Sequence, residues 1–280
     1  MSVAIPPAGI HRLSDRDYFA IDLPSSSATK VLLNGPNAKL AYERDQPRED
    51  TDDFTVGAYV HALCLDPDSV EENFIMVGEI NRRTNEGKAE WKALQSRAER
   101  TGARILTAEL REKGELMADS VLRHPSAVAI LRAASEREVT VIGEIGGRPA
   151  KAKIDAIASV PNGYGSVDAV IIDIKTTQSA DPRTFAADAA KYGYFHQAAW
   201  YTRLLRQHRK YCEEFVIIAV EKNPPYLVAV FRIPSVAVSV ADRKIEEVAE
   251  RWWCVKAGDR TGYGQDIVEL EPPKWWLIGE

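Results

Sequence analysis

The rhythm of polar and apolar positions changes near residue 138. Before it, apolar residues recur at helical spacing; after it, they alternate as in strands. Residues 1–24 hold Pro6, Pro7, Gly9 and Pro24, follow neither period and are expected to be irregular. Ser25 to Ser27 offer N-caps for a helix over 27–34, stopped by Gly35 and Pro36. A short helix at 37–44 follows, then an acidic loop over 45–54 and a helix from Thr55 through Val60 and Leu63 to Leu65, ended by Asp66 and Pro67. The stretch 84–122 reads as helical with a break at Thr101 and Gly102, its second part opened by Thr107 with Leu110.

Residues 138–144 and 150–158 alternate, and Gly146 with Gly147 between them predicts a two-residue hairpin turn. With that turn, Ile145 faces Arg148, paired residue numbers sum to 293, and Glu138 lies opposite Asp155. Facing side chains sit about 5 Å apart. Glu138, Thr140, Ile142, Lys151 and Lys153 then share the face of Asp155, while Val139, Val141, Ala152 and Ile154 point into a core. The apolar run 169–175 reads as a central strand carrying Asp173 and Lys175 on one face. A helix over 183–208, strands over 214–221 and 226–233 around Asn223-Pro224-Pro225, and a helix over 236–257 complete an α/β layer with a mixed sheet. No internal repeat or linker divides the chain. Residues 1–280 are expected to form a single domain: a mainly helical part to 137, a sheet core over 138–233, and a C-terminal helix and tail over 234–280.

With 45% hydrophobic residues among 280, the composition excludes a disordered or collagen-like chain. No stretch is apolar enough to cross a bilayer, and the first residues lack a signal-peptide pattern, so a cytoplasmic protein with no membrane partner is expected. Cys64, Cys212 and Cys254 are too few and too scattered for a disulfide framework or an iron–sulfur site. The net charge of −5 disfavours nucleic acid at first sight, but residues 41–80 alone carry −9, leaving +4 elsewhere, and 80–104 hold 7 bases against 3 acids. Such runs also describe solvated surface.

An Asp-x-Lys triplet alone carries little information. Asp173 and Lys175 stand out because they interrupt an apolar strand, where an unpaired charge costs several kcal/mol. Asp155 and Glu138 bring further carboxylates to the same face. Converging carboxylates suit Mg²⁺ or Mn²⁺, and a neighbouring lysine can stabilise charge on phosphate. A buried Asp–Lys pair that merely staples the sheet fits the spacing equally well.

Asp155, Asp173-Ile174-Lys175, the preceding Glu138 and the later Gln197 and Tyr201, one helical turn apart, together resemble the PD-(D/E)xK nuclease superfamily. Among its members the pattern is similar to the RecB-related exonucleases, and most to the nuclease domain of RecE, exonuclease VIII. Further points of likeness are Gly57 to His61, Asn81-Arg82-Arg83-Thr84-Asn85 with Gly87-Lys88, Lys151 and Lys153, Thr176-Thr177, and the ending Pro273 to Trp276. Ile154 stands where the superfamily name has proline, and the loop at 161–165 is longer than expected.

The resemblance implies a restriction-endonuclease-like core, a mixed central sheet flanked by helices, beneath an N-terminal helical layer. It implies metal ligation by His61, Asp155, Asp173 and the carbonyl of Ile174, with Lys175 acting on water and Glu138, or Glu144 under a shifted register, as a further acid. Gly57 would allow close helix–sheet approach. Arg82, Arg83, Lys88, Lys151 and Lys153 are candidate phosphate contacts; Gln197 and Tyr201 either touch DNA or pack their helix. Ser27 also has a counterpart, which capping would explain. The implied activity is Mg²⁺-dependent 5′ to 3′ digestion of double-stranded DNA ends by a homo-oligomeric ring, alongside a single-strand annealing protein in phage-type recombination. An endonuclease of the same fold and a non-catalytic DNA- or partner-binding module are the alternatives.

Overall fold

The structure, a computed structural model, describes residues 4–46, 51–161, 167–209 and 212–272. The start of the chain is more ordered than its prolines and glycine predict. Strand β1 (Gly9–His11) is followed by helix α1 (Asp15–Ala20), whose cap Ser14 accepts from the Asp17 N–H. The helix expected after Ser25 is split: α2 (Ser26–Thr29) tightens into a 3-10 turn over Lys30–Leu33. Helices α3 (Asn37–Asp45) and α4 (Asp52–Leu65) come next. Helix α4 starts earlier than predicted because the Thr51 hydroxyl caps the Phe54 N–H, with Asp52 and Asp53 at the positive end of the helix dipole.

Beyond α5 (Val70–Asn73) come strand β2 (Phe74–Val77), α6 (Asn85–Thr101), β3 (Arg104–Thr107), α7 (Ala108–Arg123) and α8 (Pro125–Ala133). The predicted break falls at Gly102, and the Thr107 hydroxyl accepts from the Leu110 N–H as the sequence indicates. Strands β2 and β3 pair in parallel as a separate small sheet. Four residues are too few to display an alternation, so the sequence did not announce them.

Strands β4 (Ala134–Ile145), β5 (Arg148–Pro161) and β6 (Val167–Thr177) lead to helices α9 (Pro182–Lys191) and α10 (Tyr194–Arg206), then β7 (Cys212–Glu221), β8 (Val228–Arg232) and α11 (Ser235–Lys256). The six-stranded sheet has the order β1-β4-β5-β6-β7-β8, antiparallel except for the parallel pair β6 and β7. Gly146 and Gly147 make the hairpin turn with φ of 61° and 72°, values suited to glycine. Arg137 pairs with Ala156 and Val139 with Ile154, so Glu138 stands opposite Asp155 as the turn predicts. The helix expected over 183–208 is broken at Gly193, whose φ is 75°. That left-handed conformation favours glycine and ends the helical run.

One face of the sheet packs Val139, Val141, Ala152 and Ile154 with Trp200 of α10 and Trp252 of α11. The other packs Ile172, Ile174 and Ile218 with Val56 and Val60 of α4, Met117 of α7 and Leu131 of α8. The sheet is thus covered by helices on both faces. Thr140, Ile142 and Lys151 are buried under the N-terminal segment instead of facing solvent. Lys151 Nζ donates to the carbonyls of Tyr18 and Ile21, both at 2.6 Å, which excludes it as a phosphate contact. Among the described residues no helix is long and apolar enough to cross a membrane. Residues 162–165 of the long loop and the Pro273 to Trp276 ending lie outside the described residues.

Candidate active site

Asp155 on β5 and Asp173 and Lys175 on β6 reach one cleft of about 710 Å³, bounded also by the N-terminal segment, α4 and the start of α10. Asp155 Oδ2 accepts from the Ile174 N–H at 2.8 Å, and His61 Nδ1, brought in by α4, lies 3.3 Å from the same oxygen. Burial is the largest influence on the Asp155 carboxyl and pushes its pKa up to about 6; Asp173 and Glu138 push the same way, against His61 and Lys175. Lys175 Nζ sits 2.6 Å from Asp173 Oδ2. Burial alone would lower the Lys175 pKa, but Asp173 and Asp155 outweigh it and the net shift is upward, so the ammonium stays charged.

Asp173 is 1% exposed. Its Oδ1 accepts from Gln197 Nε2 at 2.7 Å, and its Oδ2 pairs with the Lys175 ammonium. Gln197 thus serves the acid. Tyr201, beside it and 8% exposed, has its pKa raised well above the usual value by burial, so its hydroxyl stays protonated.

Glu138 belongs to a second chain of charges along the cleft. Its Oε2 lies 2.9 Å from Lys153 Nζ, which also bonds Asp15 Oδ1; Asp15 in turn holds Arg104 at 3.3 Å. Burial would lower the Lys153 pKa, but Glu138 and Asp15 outweigh it and raise it. Burial would likewise raise the Asp15 pKa, yet Lys153 and Arg104 bring it below the usual value. Glu138 adopts φ 52°, a left-handed conformation that costs a non-glycine residue roughly 1–3 kcal/mol. Glu144, the alternative acid, stands near the hairpin turn, its backbone bonded to the Gln207 amide at 2.9 and 2.7 Å, away from the cleft.

Arg82, Arg83 and Lys88 are exposed and do not line the cleft; Arg82 lies 4.4 Å over the Trp91 ring. Gly57 does line it, but a Cβ there would meet Thr176 Oγ1 at an ordinary 3.5 Å, so close approach does not require glycine. Capping does not account for Ser27 either. The cap is Ser25, which accepts from the Ala28 N–H, and Ser27 is exposed toward the cleft. Sequence reasoning missed Asp15, Arg104, Lys30 and Tyr194. Asp15 read only as part of a helix start after Ser14, and its contact with Lys153 spans 138 residues, which no local pattern reveals.

Among the described residues no group of three or more His, Cys, Asp or Glu side chains is placed to hold a metal ion. The donor types are nevertheless those a divalent cation takes: the carboxylates of Asp155 and Asp173 and the imidazole of His61 face one cleft.

A helix-flanked mixed sheet with Asp155, Asp173 and Lys175 on adjoining strands is the architecture of the PD-(D/E)xK nucleases. Residues 25–265 match the family described as a PDDEXK-like domain of unknown function (DUF3799), and the chain belongs to that family. A crystal structure from Eubacterium rectale, of a protein provisionally described as an exonuclease, shares the fold with 17% identity and a TM-score of 0.59, over 96% of this chain and 98% of that one. SSO0001 (17% identity, 74% of this chain and 89% of that one, TM-score 0.30) and VC1899 from Vibrio cholerae (14%, 88% and 62%, 0.23) overlap too loosely to bear on the site. No curated protein matches the chain.

Proposed function

We propose that the protein is a metal-dependent deoxyribonuclease that hydrolyses phosphodiester bonds at the ends of linear double-stranded DNA. The observation that carries this reading is the Asp155, Asp173 and Lys175 set, with His61, at the floor of one cleft. Asp155, Asp173, His61 and the Ile174 carbonyl are the groups to hold Mg²⁺ or Mn²⁺, which when bound supplies positive charge against the scissile phosphate and acidifies a water. Lys175, kept charged by its acidic neighbours, orients the attacking water and stabilises charge gathering on the phosphate oxygens. Water adds to phosphorus, the P–O ester bond breaks, and the leaving oxygen ends with a proton. Gln197 fixes Asp173, and Glu138 sets the polarity beside Asp155.

The likeness to RecE supports a 5′ to 3′ direction, a ring of identical subunits and an annealing-protein partner in phage-type recombination. In the test, purified protein with Mg²⁺ is offered linear duplexes, duplexes with one blocked end, and closed circles, alongside Asp173→Asn. Loss of linear DNA with circles intact, abolished by Asp173→Asn, is the expected result. Nicked circles would transfer the reading to an endonuclease, and equal inertness of both proteins would overturn it.

A further inference from the structure

The wall of the cleft beside Lys175 is aromatic, and the hydrolytic reading uses none of it. Tyr192 and Tyr194 flank Gly193, and both line the cleft. Their ring centroids are 6.2 Å apart and inclined by 36°. Gly193 turns the chain with a φ of 75°, a conformation suited to glycine, so the two rings are presented together at a bend. Tyr194 is backed from the core by Phe185 at 5.9 Å, which stacks on Phe231 at 4.6 Å. Tyr192 is 39% exposed at the lip and has no core to fill.

Positive charge is interleaved with these rings. Lys30 Nζ lies 4.8 Å and Lys191 Nζ 5.1 Å from the Tyr192 centroid, and Lys175 Nζ lies 5.3 Å from that of Tyr194. Burial, and after it repulsion from the charge of Lys175, lower the Lys30 pKa. An anion between them relieves that repulsion. Aromatic faces alternating with flexible cations are how single-stranded nucleic acid is held: bases stack on rings, while ammonium groups follow the phosphates.

We infer that Tyr192 and Tyr194 form a stacking subsite for one unpaired nucleobase adjoining the scissile phosphate, with Lys30 taking the neighbouring phosphate. This rests on the nuclease reading and deepens it: the terminal nucleotide enters the cleft out of its base pair. Frayed or single-stranded ends are therefore preferred to fully paired ones. The ammonium groups that lie over Tyr192 in the free protein move onto the phosphates when the base takes the ring face.

The full-length protein is titrated, with Ca²⁺ in place of Mg²⁺, against a duplex carrying a short single-stranded tail and against the same duplex with an abasic tail. Wild type is expected to bind the base-containing tail roughly tenfold more tightly. A 2-aminopurine at the tail position should be quenched on binding. Tyr192→Ala should lose both the preference and the quenching, Tyr192→Phe should keep them, and Lys30→Gln should weaken both duplexes equally with a shallower salt dependence. Should Tyr192→Ala fail to fold, the wild-type comparison of the two tails decides alone. Equal affinity for both tails, or a preference that survives in folded Tyr192→Ala, overturns the subsite and leaves the nuclease reading standing. No binding of either duplex by wild type overturns both.

Discussion

The side-chain amide of Gln197 donates to Asp173 Oδ1 at 2.7 Å, tying α10 to the strand that carries the site. A hydrogen bond to a charged group contributes about 1.5–3 kcal/mol. Gln197→Ala should therefore lower the melting temperature and weaken Mn²⁺ binding measured by calorimetry. If DNA affinity fell instead while melting and Mn²⁺ binding held, Gln197 would be a DNA contact and not a support for the acid.

The raised Asp155 pKa fixes a sign for the pH dependence. Burial lifts it from 3.8 to about 6, so the folded protein holds this proton more tightly than the unfolded chain does. The resulting stability is fully present below pH 3.8 and is lost as pH rises through about 6, on the order of 3 kcal/mol in all. Metal-free wild type should lose stability relative to Asp155→Asn over that window. Divalent-cation affinity should rise across it, because the ligand must be ionised. Melting scans of both proteins at several pH values check this; a constant difference between them would refute it.

Lys151 offers a contrast with the surface cations. Its two bonds to the Tyr18 and Ile21 carbonyls hold the N-terminal segment against the hairpin. Lys151→Met is expected to cost about 2–4 kcal/mol and to open that segment to protease. The salt dependence of DNA binding should stay the same, since no phosphate contact is lost.

Glu138 carries backbone strain that asparagine tolerates better. Glu138→Asn gives up the ion pair with Lys153, which keeps its bond to Asp15. Stability should hold or rise by up to about 1 kcal/mol, while cleavage falls. A clear drop in melting temperature would show that the pair with Lys153 outweighs the strain.

The parts of this fold visible in the sequence are those set by neighbours along the chain. Gly146 and Gly147 determined the hairpin, and one turn then aligned Glu138 with Asp155. Thr107 announced its helix by capping chemistry alone. The parts that escaped are settled at long range. Lys151 and Lys153 share one face of one strand, yet one is sealed under α1 while the other stays in the cleft, because only the tertiary path of residues 14–21 tells them apart. Gly193 lies within the helix expected over 183–208, where a single glycine between helical stretches gives no local sign of the left-handed φ it adopts.

The N-terminal wall of the cleft also bears on timing. Asp15 is held by Lys153 and Arg104, 138 and 89 residues further on, Tyr18 receives Lys151, and β6 has its parallel neighbour in β7. Such long-range contacts form later than the turns and helices set by near neighbours. The N-terminal wall of the cleft therefore closes after the hairpin of β4 and β5 has formed, and the site is completed late in folding.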